Sequence, residues 1–234
     1  MVDVSAPQNA VNPASSNEGN RTGNPEPSAT AHTQRRYDLW ASIYDYAEWP
    51  AERLLFRAWR EHLWAPVQGP EVLEVGVGTG KNMSYYPDDA HVTAIDLSPN
   101  MVARARRRAQ QVPGKDITVR EMDVQALDFP EASFDEVVAT MVFCSVPDPV
   151  LGLREALRVT KPGGHLRLLE HMRASPPLLA RLMDRLDAPI HWAAGMHIAR
   201  ETVDNVRRAG WEVQAVEPLT RGDIFRRIVA RKPE

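Results

Sequence analysis

This chain of 234 residues has one cysteine, so it can form no internal disulfide framework, and a lone thiol at Cys144 fits a reducing compartment. No apolar run approaches the ~20 residues that cross a bilayer. The N-terminus lacks the basic-then-apolar pattern of a secretory signal. These absences lead us to expect a soluble, cytoplasmic protein, with peripheral contact at a membrane surface left open. A net charge of −3 gives no general attraction for a polyanion. The arginines at 104, 106, 107 and 108 have no aromatics between them and suit a solvated helix face near its C-terminus, so no nucleic acid is expected. No His or Cys cluster has metal-ligand spacing, which leaves no expected metal. No Ser, His and Asp meet in a nucleophile-elbow context, which removes serine-hydrolase chemistry.

One stretch is rich in information. Val72-Leu73-Glu74-Val75-Gly76-Val77-Gly78-Thr79-Gly80-Lys81-Asn82 is an apolar run holding an acid, then alternating glycines, after which a helix is expected to begin. Such a run turns a parallel strand sharply while leaving backbone bare for a ligand. His91-Val92-Thr93-Ala94-Ile95-Asp96 then gives a second buried strand ending in an acid. Asp96 falls about 20 residues past the first glycine, where doubly wound folds hold a ribose by its hydroxyls. A dinucleotide fingerprint would need a third glycine where Lys81 stands, and no Walker Gly-Lys-Ser/Thr occurs. No Tyr-x-x-x-Lys pair supports a dehydrogenase either. The remaining familiar occupant is S-adenosylmethionine, which has a ribose for Asp96 and no phosphate.

The chain divides by composition. Residues 1–33 are rich in Pro, Ser, Asn and Gly, which predicts a disordered tail before a domain at 34–234. Tyr37, Trp40, Ile43, Tyr44 and Ala47 share a helical face, and Pro50 opens a second helix over Ala51 to Trp64 with Leu54, Leu55, Ala58 and Leu63 inward. Together they make an N-terminal helical lid, 34–66, before a sheet core, 67–234. Strands are expected at Val72–Val75, Val92–Ile95, Ile117–Glu121, Phe134–Val142, His165–Glu170, Trp211–Pro218 and Phe225–Arg231. Helices are expected after Ser98-Pro99, from Pro149 to Arg158, from Pro177 to about Leu186, and from Arg200 to Ala209. Lys161-Pro162-Gly163-Gly164 is a turn in this scheme. The fold class is therefore α/β, a Rossmann-like sheet of seven mostly parallel strands with helices on both faces and an antiparallel edge.

From Tyr37 onward the chain resembles class I S-adenosylmethionine-dependent methyltransferases. The resemblance rests on "VLEVGVGTG", "VTAIDLSPNM", "MDVQALDFPEASFDEVVA" and "ALRVTKPGGHLRLLEHM". Within the class it is similar to the quinone-biosynthesis and phospholipid N-methyltransferase branch. "MVFCSVPDP", "EHM" and "HIARETVDNVRRAGW" also resemble membrane-associated thiol methyltransferases. The resemblance implies S-adenosylmethionine as cofactor, with Gly76, Gly78 and Gly80 along the methionine and ribose, Glu74 near the amino group, and Asn82 also among the cofactor-binding residues. It places Asp96 on the ribose, Leu97 and Met101 on the adenine, and Asp123 with the Val124 backbone on the adenine amino group. Thr140 and Met141 would lie beside the methionine moiety, and Tyr37 and Tyr44 would close over the pocket.

Methyl transfer from a sulfonium needs alignment and exclusion of water, and a base only when the acceptor arrives protonated. The candidates for that role are Glu170 and His171 at the end of the fifth strand, with Tyr44 from the lid; His197 is a weaker one. The apolar spacing of Leu178, Leu179, Leu182, Met183 and Leu186 fits either a helix packed on the sheet or one facing outward with Trp192 toward a membrane. The expected function is methyl transfer to a small hydrophobic or lipid-like acceptor. A phospholipid-amine or thiol specialist, or a cofactor-binding module without catalysis, remain as alternatives.

Overall fold

The computed structural model describes residues 56–194 and 196–234. The expected tail and the greater part of the expected lid, including Tyr37 and Tyr44, lie outside the described residues. In chain order the described elements are α1 (Arg57–Trp64), β1 (Glu71–Val75), a 3-10 turn η1 (Met83–Tyr85), β2 (His91–Asp96), α2 (Pro99–Ala109) and β3 (Asp116–Glu121). They continue with β4 (Phe134–Thr140), α3 (Pro149–Val159), β5 (Thr160–His171), α4 (Pro177–Ala194), α5 (Thr202–Arg208), β6 (Glu212–Pro218) and β7 (Phe225–Arg231).

The strands form one seven-stranded sheet in the order β3-β2-β1-β4-β5-β7-β6. β1 through β5 run parallel, and β7 pairs antiparallel with both β5 and β6. Side chains alternate across a strand, so the sheet buries two apolar faces. Leu73 and Val75 of β1 join Val137, Leu166 and Leu168 under Leu153 and Ala156 of α3 and Val206 of α5. Val72 points the other way, with Val92, Val138 and Leu169, against Leu63 and Trp64 of α1 and Ala105 of α2. Because β1 pairs with β2 on one side and β4 on the other, strand order reverses there. The carboxyl ends of such strands leave a crevice.

Several boundaries differ from expectation for identifiable reasons. No α-helix follows the glycine loop, only η1; Tyr86 has ψ 145°, and the extended form demanded before Pro87 ends the turn. β4 stops at Thr140 because Met141 turns into the left-handed region at φ 54°. β5 starts at Thr160, so the expected Lys161–Gly164 turn lies within its span, with Gly163 at φ 74° marking the bend. α4 runs on through Pro189 to Ala194. Pro189 is exposed, so the carbonyl it fails to satisfy faces water. In α1 the inward side is Phe56, Arg60, Leu63 and Trp64; Ala58, expected to be buried, is exposed.

At the opposite end of the sheet from the crevice, Arg167 of β5 holds Glu136 of β4 with its Nε and, at 3.1 Å, its Nη2. Gln68 N donates to Glu136 and Arg167 donates to the Pro66 carbonyl, each at 3.1 Å. The segment joining α1 to β1 is thereby tied to the central strands.

Candidate functional site

A cavity opens where β1, β2 and β4 end. Gly76, Gly78, Asn82, Asp96, Leu97, Met101, Asp123, Val124, Thr140 and Met141 are among the residues that line it. The glycine loop is held by its own backbone: Val77 N donates to Ile95 O at 2.9 Å, and Gly80 N to Val77 O at 2.9 Å. Gly76 has φ 68°, and a Cβ there would meet Val142 Cγ2 at 2.3 Å, so the β4 loop rests directly on it. Gly78 has φ 55°, and a Cβ there would meet no protein atom within 4 Å. Its backbone is bare toward the cavity, as a cradle for a ligand must be.

Asp96 closes one side of this cradle. Its Oδ2 accepts from Gly78 N at 2.8 Å and its Oδ1 from Ser98 N at 2.9 Å. One carboxylate thus fixes the β1 loop to the end of β2. Ser98 caps α2 by accepting from Met101 N at 3.2 Å, with Pro99 at the first helical position, and this sets Met101 in the wall. Asp123 is clamped by Gln125, whose N donates to Oδ1 at 2.9 Å and whose Nε2 donates to Oδ2 at 3.0 Å. Gln125 in turn accepts from Asp148 N at 2.9 Å, linking that side of the cavity to the start of α3. This side of the cavity therefore has two carboxylates in fixed orientation.

The other end is a buried polar chain. Arg60 reaches from α1 and donates to Asn82 Oδ1 at 2.6 Å. Asn82 Nδ2 donates to Thr140 Oγ1 at 3.1 Å and to Glu74 Oε1 at 2.5 Å, while the Tyr86 hydroxyl donates to Glu74 Oε2. Glu74 is fully buried. Burial raises its carboxyl to about 8, opposed by the Asn82 bond and the Arg60 charge, with Asp96 adding to the rise. Glu74 is not a lining residue; it acts on the cavity through Asn82, which is. Gly80 likewise stands behind the wall, where its Cβ would meet Met83 Sδ at 2.9 Å.

Glu170 and His171 do not come to the cavity wall. Glu170 is fully buried, and its Oε1 accepts from Val142 N and Phe143 N, both at 3.0 Å. Its carboxylate therefore anchors the loop that Met141 begins. Burial lifts its carboxyl to about 7 against these amide bonds and the charge of Arg200. His171 packs edge-on against Phe225 at 5.2 Å, within an aromatic group that includes Phe56 and Trp59. Burial lowers its pKa. Cys144 is buried and burial pushes its thiol up, as for a small apolar side chain.

Sequence reading missed Arg60, Gln125 and Tyr86. Arg60 carries a local signal, since it lies three and four residues before the buried Leu63 and Trp64 and so shares their face. Gln125 carries one too, standing two residues after Asp123, where its amide and side chain can reach that carboxylate. Tyr86 carries none, because its partner Glu74 lies on a different element.

Residues 73–168 match a family model described as a methyltransferase domain. The chain is 35% identical to a phosphatidylethanolamine N-methyltransferase of Cereibacter sphaeroides, over 82% of this chain and 93% of that protein. It is 36% identical to the thiol S-methyltransferase TMT1B of Rattus norvegicus, over 61% of each chain. Its fold matches that of an S-adenosylmethionine-dependent methyltransferase from Thermotoga maritima with a TM-score of 0.66 at 21% identity, covering 85% and 99% of the two chains.

Proposed function

This chain belongs to the S-adenosylmethionine-dependent methyltransferases, and we propose that it methylates a small hydrophobic or lipid-like acceptor. S-Adenosylmethionine is its cofactor; bound, it supplies a sulfonium whose methyl carbon is open to in-line attack. In this reading Asp96 takes the ribose hydroxyls, Leu97 and Met101 pack on the adenine, and Asp123 with the Val124 backbone meets the adenine amino group. Gly76 and Gly78 run beside the methionine and ribose, with Thr140 and Met141 beyond them. Asn82, polarised by Glu74, faces the methionine end, and Arg60 puts a cation where that amino acid carries its carboxylate. Tyr37 and Tyr44 keep their assignment to a closing lid in this proposal.

The chain's own contribution to the reaction is alignment and exclusion of water. The observation that carries the acceptor class is the outward face of α4. Leu178 is 80% exposed, Leu182 52%, Leu186 42% and Trp192 78%. This stripe follows directly on β5, whose end neighbours the cavity, and Arg181 and Arg185 stand exposed along it. Such a face suits a lipid surface and an acceptor drawn from it. Among the described residues no helix is long and apolar enough to cross a membrane, and the contact proposed is peripheral. The names of the relatives support two narrower readings, a phospholipid amine or a thiol as acceptor. Transfer of labelled methyl to phosphatidylethanolamine, alkanethiols, quinols and phenols tests all of these. Activity confined to hydrophilic acceptors would overturn the proposal.

A further inference from the structure

A second hollow lies past the end of β5, lined among others by Arg173, Ser175, Arg200, Asp204, Arg207 and Arg226. The segment after β5 supplies Arg173 and Ser175, β7 supplies Arg226, and α5 with the residues before it supplies the rest. Arg200 also meets the cofactor cavity from behind, since its Nη2 donates at 3.0 Å to the carbonyl of Val146, a lining residue there. The segment that carries it is fixed. His197 N donates to Cys144 O at 2.9 Å, and Asp187 of α4 takes His197 Nδ1 and Ile198 N, each at 2.7 Å.

Four guanidinium groups line this second hollow, and they are unequally neutralised. Arg173 is paired with Asp184 through Nε at 2.7 Å and Nη2 at 2.8 Å, and Arg207 with Asp204 at 3.0 Å. Among the described residues Arg200 and Arg226 have no carboxylate partner. Arg226 donates from Nε to Asp223 O at 2.8 Å, and from Nη2 to Ser175 Oγ at 2.9 Å and Arg173 O at 3.2 Å. Neutral oxygens therefore hold it in place and leave its charge unopposed. Arg200 Nε is buried without a partner, and burial lowers the pKa of this side chain, as expected of a cation partly stripped of water. Glu201 is the other acid in the lining and is exposed. With Asp184 included, the hollow keeps one positive charge in excess. A phosphodiester carries one negative charge on two oxygens, a shape that a guanidinium fork fits.

The hollow also adjoins an apolar surface. Ser175 stands three residues before Leu178, the start of the outward stripe of α4, and Arg173 is tied to Asp184 on the same helix. Cationic groups beside exposed apolar side chains suit a phospholipid, whose phosphate and acyl chains are covalently joined. We propose that this hollow seats the headgroup phosphate of a phospholipid, with Leu178 and Leu182 against its acyl chains. The lipid identity of the occupant rests on the reading above, in which the acceptor is drawn from a lipid surface.

The probe is dihexanoylphosphatidylglycerol below its micellar concentration, titrated into the full-length protein while the arginine Nε signals are followed by NMR. The signals of Arg200 and Arg226 should shift and saturate. Dihexanoylglycerol, which lacks the phosphate, should leave them in place, and inorganic phosphate should bind about tenfold more weakly than the lipid. Arg226→Gln should weaken lipid binding about tenfold, the scale of one lost charge-assisted contact, and Arg226→Lys much less. Arg207→Gln, at an exposed position that does not bear on folding, should weaken it several-fold. Inorganic phosphate binding as tightly as the lipid would overturn the lipid as occupant. Absence of a saturable shift with either anion would overturn the site. Saturable lipid shifts in a wild type that methylates only hydrophilic acceptors would uphold the site and overturn the acceptor class instead.

Discussion

Asp96 has two jobs in one carboxylate: it ties the glycine loop to β2 through Gly78 N and Ser98 N, and it faces the cavity. Replacing it with alanine should weaken S-adenosylhomocysteine binding by about 1–3 kcal/mol, the scale of lost charge-assisted hydrogen bonds. Titration calorimetry reads this directly, and unchanged affinity would put the ribose elsewhere. Glu74 predicts a pH effect. Its carboxyl is raised from 4.5 to about 8 in the fold, so the native state holds that proton more tightly than the unfolded chain does. The resulting stabilisation is complete below the unfolded value and is lost as pH rises through the folded one. Wild type should therefore lose melting temperature between about 4.5 and about 8 more steeply than Glu74→Gln, whose amide has no proton to lose. Parallel profiles for the two proteins would refute this.

The loops at the ends of β1 and β4 work as a pair. Gly76 and Gly78 both need positive φ, yet they differ in what surrounds them. Gly76→Ala drives a methyl into Val142 and should destabilise the fold markedly, which thermal unfolding would show. Gly78→Ala meets open space, so its stability cost should stay near the ~1–2 kcal/mol of left-handed backbone while cofactor affinity falls further. Equal stability losses at the two sites would contradict that distinction. On the β4 side, Met141 accepts left-handed backbone, and Glu170 gathers the two amides that follow. An acid at a strand end is visible in sequence, but whether it faces a ligand or grips a neighbouring loop is not. The same holds for α4. Its apolar spacing was plain, and only packing showed that Ala180 and Met183 go inward while Leu178, Leu182 and Trp192 go outward.

For the molecule as a whole, the sheet is clamped at one end by Glu136 and Arg167 and opens into the cavity at the other. Arg167→Met strands a buried carboxylate and should cost about 3–5 kcal/mol in denaturant unfolding, with little change in which cofactor is bound. A loss below about 1 kcal/mol would mean the pair is solvated. The outward stripe of α4 bears no such load. Replacing Leu178, Leu182 and Trp192 together with serine should leave melting temperature nearly unchanged and reduce sedimentation with anionic phospholipid vesicles several-fold. Full retention of vesicle binding would place the lipid contact elsewhere.

The amino-acid sequence by itself determined the α/β class, the strand that ends in alternating glycines, and the acid at the end of β2. These features depend on periodicity, backbone freedom and spacing along a single segment. Tertiary structure alone decided that Arg60 meets Asn82 and Glu74, that Gln125 reaches Asp148 at the start of α3, that Glu170 turns to the β4 loop, and that Asp187 aligns His197. Each of those pairs or chains joins groups on different elements, and a buried polar atom accepts whichever partner the completed packing brings within hydrogen-bonding distance.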